Sequence, residues 1–176
     1  MAQDQPIMES LIPSALIPQA GETRALYELI ELLFFAYRDF VGDPDRLLET
    51  YGFGRAHHRV IHFVDRNPGL TIAELLDILQ ITKQSLNRVL KELISKHYVE
   101  SRSGIEDRRQ RHLHLTARGK HLADSLAALQ MKRIGRALVE IGPNDAMAAR
   151  RFLEAMIDPS VRPDVDRVLA SKGRML

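Results

Sequence analysis

Cysteine is absent from the 176 residues, which excludes disulfides, thiolate metal sites and thiol redox sensing and fits a reducing compartment. The first twenty residues lack the basic start and unbroken apolar stretch of a secretion signal. They carry Asp4, Glu9 and the prolines Pro6, Pro13 and Pro18 instead. No apolar run is long enough to span a bilayer; the most apolar stretch, 29–37, is interrupted by Glu31. These absences predict a soluble cytoplasmic protein with no membrane partner. A Gly-rich phosphate loop, a nucleophile elbow and a distinctive carboxylate pair are equally missing. No catalytic residue, no enzyme activity and no cofactor are expected.

What is present is a folding composition, 45% hydrophobic and 27% charged. The length allows one well-buried domain, or a domain plus an assembly element. Charge is unevenly spread. Residues 83–120 hold ten Lys/Arg and four Asp/Glu, a local charge of +6 in a chain of net +2, which leaves −4 elsewhere. Such asymmetry suits a cationic surface facing a polyanion, or a solvated basic face without a partner.

Periodicity orders the elements. Residues 1–20 read as an irregular arm. Leu26, Ile30, Leu33, Phe34 and Tyr37 recur at helical spacing over 22–41, and Gly42-Asp43-Pro44 is expected to stop that helix. A second helix is predicted over 54–66, closed by Asn67-Pro68-Gly69. Thr71 and Glu74 have the spacing of a capping box for a short helix ending near Leu79. Thr82 can cap the next helix, 83–97. Its apolar stripe is Leu86, Val89, Leu90, Leu93 and Ile94; Gln84, Asn87, Arg88 and Lys91 occupy the opposite face. Strands are predicted over 98–102 and 109–115, where Leu113 and Leu115 alternate with His112 and His114. A long helix follows from 116, with Leu122, Leu126, Leu129, Ile134 and Leu138 on one stripe, and a last one over 145–157. The tail after Asp158 shows little pattern.

The expected fold is mostly α with a small β hairpin. A winged helix-turn-helix (54–116) is flanked by a helical dimerisation region (21–53 and 117–157), with an N-terminal arm (1–20) and a C-terminal tail (158–176). The flanking helices are too apolar to stand alone, so a second copy of the chain is the expected partner.

A helix that reads DNA must be apolar behind, hydrogen-bonding in front and narrow enough for the major groove. Residues 83–97 fit. Gln84, Ser85, Asn87 and Arg88 can address base edges, while Lys83 and Lys91 suit phosphates. An ordinary amphipathic surface helix would look similar. The hairpin sharpens the reading, because its tip carries Asp107, Arg108, Arg109 and Arg111. In extended chain Asp107 and Arg109 share a side, so the carboxylate can orient the guanidinium for a narrow minor groove. The plainer alternative is a solvated ion pair worth at most about 1 kcal/mol.

The run from Pro68 through Leu75 (Pro-Gly-Leu-Thr-Ile-Ala-Glu-Leu), the segment 81–93, Asp107-Arg-Arg109 and Leu115-Thr-Ala-Arg-Gly119 resemble the MarR family of bacterial regulators. More narrowly, 52–64 and 81–90 are similar to its PetP subgroup. The resemblance spans about residues 22–157. It implies a triangular homodimer on pseudo-palindromic promoter DNA, with repression usually relieved by a small-molecule effector. It also implies that Arg109 is the minor-groove arginine, supported by Asp107, and that 83–91 face the major groove. Asn87 departs from the Thr or Ser of many members, which leaves base preference there open.

His58 and His62 share a helix face four residues apart and are candidate metal ligands; His57 lies about 100° round the helix and cannot easily join them. Their plainer role is hydrogen bonding between helices. Phe34, Tyr37, Phe53, His57 and His58 are the candidates for an effector pocket, although such aromatics more often belong to a core. The expected function is sequence-specific transcription control on double-stranded DNA. The alternative is a winged-helix protein-interaction module without specific DNA binding.

Overall fold

The computed structural model describes residues 20–103 and 110–170. Its elements in chain order are α1 (Ala20–Glu49), α2 (Arg55–Arg66), β1 (Leu70–Thr71), α3 (Ile72–Leu79), α4 (Lys83–Ser95), β2 (Val99–Ser103), β3 (Arg111–Leu115), α5 (Ala117–Ile141), α6 (Pro143–Met156) and α7 (Arg162–Ala170). Two compact units divide the chain between Asp39 and Phe40, within α1.

In the first unit, α1 presents large apolar side chains to solvent: Leu26, Ile30, Leu33, Phe35 and Tyr37 are all exposed, and Phe34 is 70% exposed. Arg24 pairs with Glu28 at 3.3 Å, and the Arg38 guanidinium lies 5.0 Å from the Phe35 ring centre.

The second unit holds the hydrophobic core. Leu48, Val60, Ile61, Val64, Leu75, Leu86, Leu93, Leu113, Leu122 and Leu126 are buried in one cluster. The end of α1, the three helices α2–α4, the sheet and the start of α5 thus share one interior. The sheet has three antiparallel strands in the order β1-β3-β2. Val99 stands opposite Leu115, Ser101 opposite Leu113, and Leu70 opposite Leu113 on the other side. The fold is mostly helical with a small sheet, as the sequence predicts, yet the sheet has one strand more than a hairpin. β1 is only two residues long, too short to carry a period. It forms because Gly69, at φ +89°, turns the chain alongside β3, where its amide donates to the Leu113 carbonyl at 2.9 Å.

Three other expectations need correction. α1 does not stop at Gly42-Asp43-Pro44 but continues to Glu49, with Pro44 inside it. An interior proline costs about 3 kcal/mol. Here burial of Val41 and Leu48 offsets it. So do carboxylates flanking Pro44: Asp43 accepts from Arg133 at 2.8 Å and pairs with Arg46, and Asp45 accepts from Arg55 at 2.7 Å. Ile94 lies beyond the edge of the buried stripe of α4 and is 38% exposed. The tail contains α7, set up by polar chemistry rather than periodicity. Asp158 accepts from the amide and hydroxyl of Ser160, and Arg162 donates to the carbonyls of Ala155 and Ile157 at the end of α6, both at 3.1 Å.

Candidate nucleic-acid interface

The capping chemistry read from the sequence fixes α3 and α4. Thr71 Oγ1 accepts from the Glu74 amide at 3.2 Å, and Glu74 Oε2 accepts from the Thr71 amide at 2.8 Å. The Glu74 carboxyl falls below its ordinary range, chiefly through the Thr71 hydroxyl and then the Thr71 amide. Between the helices Gln80 adopts a left-handed conformation at φ 50°. Arg59 of α2 donates to the Leu79 carbonyl at 2.7 Å and so holds the end of α3. Thr82 Oγ1 accepts from the Ser85 amide at 3.2 Å and opens α4.

α4 divides cleanly. Leu86, Val89, Leu90 and Leu93 are buried. Lys83, Gln84, Ser85, Asn87, Arg88 and Lys91 are all exposed on the other side. Ser85 Oγ accepts from the Thr82 hydroxyl at 2.9 Å. Among the described residues the other five side chains have no polar partner, so their donors and acceptors are available to a ligand.

β2 and β3 form the stem of the wing. Arg111 is exposed on β3, where its guanidinium is 3.5 Å from Ser103 Oγ; Arg102 is exposed on β2 and pairs with Glu100. Asp107, Arg108 and Arg109 lie outside the described residues. The stem is anchored from behind. Thr116 Oγ1 donates to the His97 carbonyl at 2.7 Å while accepting from the Gly119 amide at 3.0 Å. At its inner edge, His112 Nδ1 donates to the Gly69 carbonyl at 2.7 Å, so β1 and β3 are tied by a side chain as well as by the ladder.

The three histidines of α2 separate. His57 Nδ1 accepts from the Gly54 amide at 3.1 Å, and its Nε2 stands 3.0 Å from Glu92 Oε2 on α4. His58 is 9% exposed. Burial pushes its imidazole below the ordinary value, and His62 adds to this; Asp45 and a hydrogen bond with Gln130 oppose it. Among the described residues, no three acidic, His or Cys side chains converge as a metal site. Of the effector-pocket candidates, Phe34 and Tyr37 are exposed on α1, whereas Phe53 is a core residue stacked on His57 at 4.8 Å. Beside His58, Asp45 Oδ1 is buried without a partner among the described residues, as is Nε of Arg133.

Sequence reasoning missed Arg59, Glu92 and Lys96. Glu92 and Lys96 stand four apart on one helix, a visible pair. Their link to His57 needs the packing of α2 on α4, which no local signal encodes.

A family model described as the MarR family matches residues 51–110, from the turn before α2 to the residue before β3. Over 133 residues the chain is 52% identical to the HTH-type transcriptional regulator PetP of Rhodobacter capsulatus, covering 76% of this chain and 80% of that one. Among solved structures, Streptococcus pneumoniae FabT in complex with DNA superposes with a TM-score of 0.67 at 17% identity, covering 74% of this chain and 94% of that one. A Mycobacterium tuberculosis MarR family protein in complex with salicylic acid gives a TM-score of 0.52 at 25% identity, covering 72% and 93%.

Proposed function

Because the chain belongs to the MarR family of DNA-binding transcription regulators, not enzymes, we propose that it binds pseudo-palindromic promoter DNA as a homodimer and represses until a small-molecule effector releases it. The observation that carries the DNA reading is α4. Lys83, Gln84, Ser85, Asn87, Arg88 and Lys91 project from a helix whose reverse face is core. Gln84 and Asn87 match adenine and Arg88 matches guanine, while Lys83 and Lys91 meet phosphates. The wing adds Arg111 and, from the sequence, Arg108 and Arg109, with Asp107 as support. Such a protein works in the cytoplasm, beside the chromosome.

Exposed apolar surface supports the homodimer. α1 presents one such set in the first unit; in the second, Ile134, Leu138, Phe152, Leu153 and Met156 are exposed on α5 and α6. Left uncovered, faces of this size are association surfaces. Two copies would set their reading helices about 34 Å apart, one turn of duplex. For the effector, support comes from the buried Asp45 Oδ1, which has no partner among the described residues and acts on His58, and from the solved MarR family protein in complex with salicylic acid. The effector would favour a dimer geometry whose reading helices no longer match the half-sites.

The test is selection of duplexes from a random pool by the purified protein. We expect a two-fold symmetric site whose affinity falls steeply with salt. A folded protein that captures no duplex at low ionic strength overturns the proposal.

A further inference from the structure

We infer that His57 is a positioning residue for DNA recognition: it latches the N-terminus of α2 to the C-terminal half of α4 through Glu92. The inference rests on the DNA-binding reading above and adds to it the side chain that sets the pose of the reading helix.

The geometry assigns the protons. A ring nitrogen that accepts an amide hydrogen carries none of its own, so with Nδ1 accepting from Gly54 the neutral ring bears its hydrogen on Nε2. That N–H donates to Glu92 Oε2 at 3.0 Å. One imidazole therefore caps α2 and grips α4 at once. The His57 side chain is 14% exposed and that of Glu92 36%, so the imidazole end of the bond is sheltered while the carboxylate still meets water.

The grip is itself braced. Lys96 Nζ donates to Glu92 Oε1 at 2.8 Å and lies 4.6 Å from the centre of the Phe53 ring. Phe53 stacks on His57 with 22° between the planes, which closes a circuit of four side chains. Lys96 also reaches the Tyr51 carbonyl at 3.4 Å. The Glu92 carboxyl falls below its ordinary range, first through Lys96 and then through His57, consistent with a carboxylate held from two sides.

Rotation is what such a latch controls. Apolar packing between α2 and α4 is non-directional. It sets their separation more firmly than their rotation. Successive residues of a helix are roughly 100° apart, so a small fraction of one step moves Asn87 and Arg88 off their base edges. A directional bond to Glu92, on the next turn, removes that freedom.

Two substitutions separate the cap from the latch. In His57→Asn the amide oxygen can stand where Nδ1 stands, keeping the cap and losing Glu92. In His57→Gln the longer amide nitrogen can stand near Nε2, keeping Glu92. Each variant of the full chain is measured on the duplex selected by the unsubstituted protein, on an unrelated duplex, and by amide hydrogen exchange without DNA. We expect His57→Asn to lose about tenfold on the selected duplex alone and His57→Gln to stay within about threefold. Exchange over α4 should be faster in His57→Asn than in His57→Gln. Equal losses in both variants, or full discrimination in His57→Asn, would overturn the latch. If the unsubstituted protein captures no duplex, the DNA-binding reading fails separately, and the exchange comparison still decides: equal protection of α4 in both variants sinks the inference.

Discussion

Gly119 faces the carbonyl of Tyr98 so closely that a Cβ on it would lie 1.9 Å from the carbonyl oxygen. The glycine sits in the first turn of α5, immediately behind the start of β2. Its absent side chain is what lets the long helix press against the wing stem. Alanine would gain about 1 kcal/mol in helix propensity, but the atom it meets is backbone and cannot swing away. We expect Gly119→Ala to destabilise the fold by about 2 kcal/mol or more. Urea denaturation checks this; a variant as stable as the parent would show that the stem shifts freely.

On the DNA-binding reading proposed above, the exposed face of α4 offers two kinds of contact, and they fail differently. Asn87 offers the paired donor and acceptor that a base edge demands, whereas Lys91 offers a point charge. Asn87→Ala should cost about 1–3 kcal/mol on the selected duplex and little on unrelated DNA. Lys91→Ala should weaken binding to all sequences and lower the salt slope by about one. Titrations on both duplexes at several salt concentrations distinguish them. A uniform loss in Asn87→Ala would make that residue a positioning contact.

Leu153 tests the assembly. It is 60% exposed on α6, beside Phe152 and Met156. Burying a leucine against a second copy is worth about 2 kcal/mol, and a carboxylate in its place would be buried unpaired. Leu153→Glu should yield a folded monomer in sedimentation with much weaker binding to a symmetric site. A persisting dimer would move the interface elsewhere.

How much of this was legible beforehand follows from range. Thr71, Glu74 and Thr82 act within one helical turn, so spacing alone revealed their caps. The two faces of α4 were equally plain, save Ile94 at the margin. What failed was long-range or too short. Pro44 read as a stop because the neighbours that offset it, Arg55 and Arg133, come from other elements. β1 needs β3, which lies some forty residues on. His57 stood among the effector-pocket candidates, and its bond to Glu92 was invisible because the partner lies on α4.

His58 gives the fold a dependence on acidity. Its folded imidazole titrates below the ordinary value of 6.5, first because it is buried and next because His62 lies near. His114 shifts the same way, through burial and then Arg102. As pH falls below 6.5, the unfolded chain therefore takes up protons that the folded chain refuses. Stability contributed by these groups is full above 6.5 and is lost progressively as pH drops towards the folded values. Melting temperatures from about pH 7.5 to about pH 5.5 should fall in the parent. In His58→Gln, which keeps a group able to hydrogen-bond Gln130 but cannot titrate, they should fall less. Parallel curves for the two proteins would show that His58 takes up its proton as readily folded as unfolded, and the acid sensitivity would then belong to other groups.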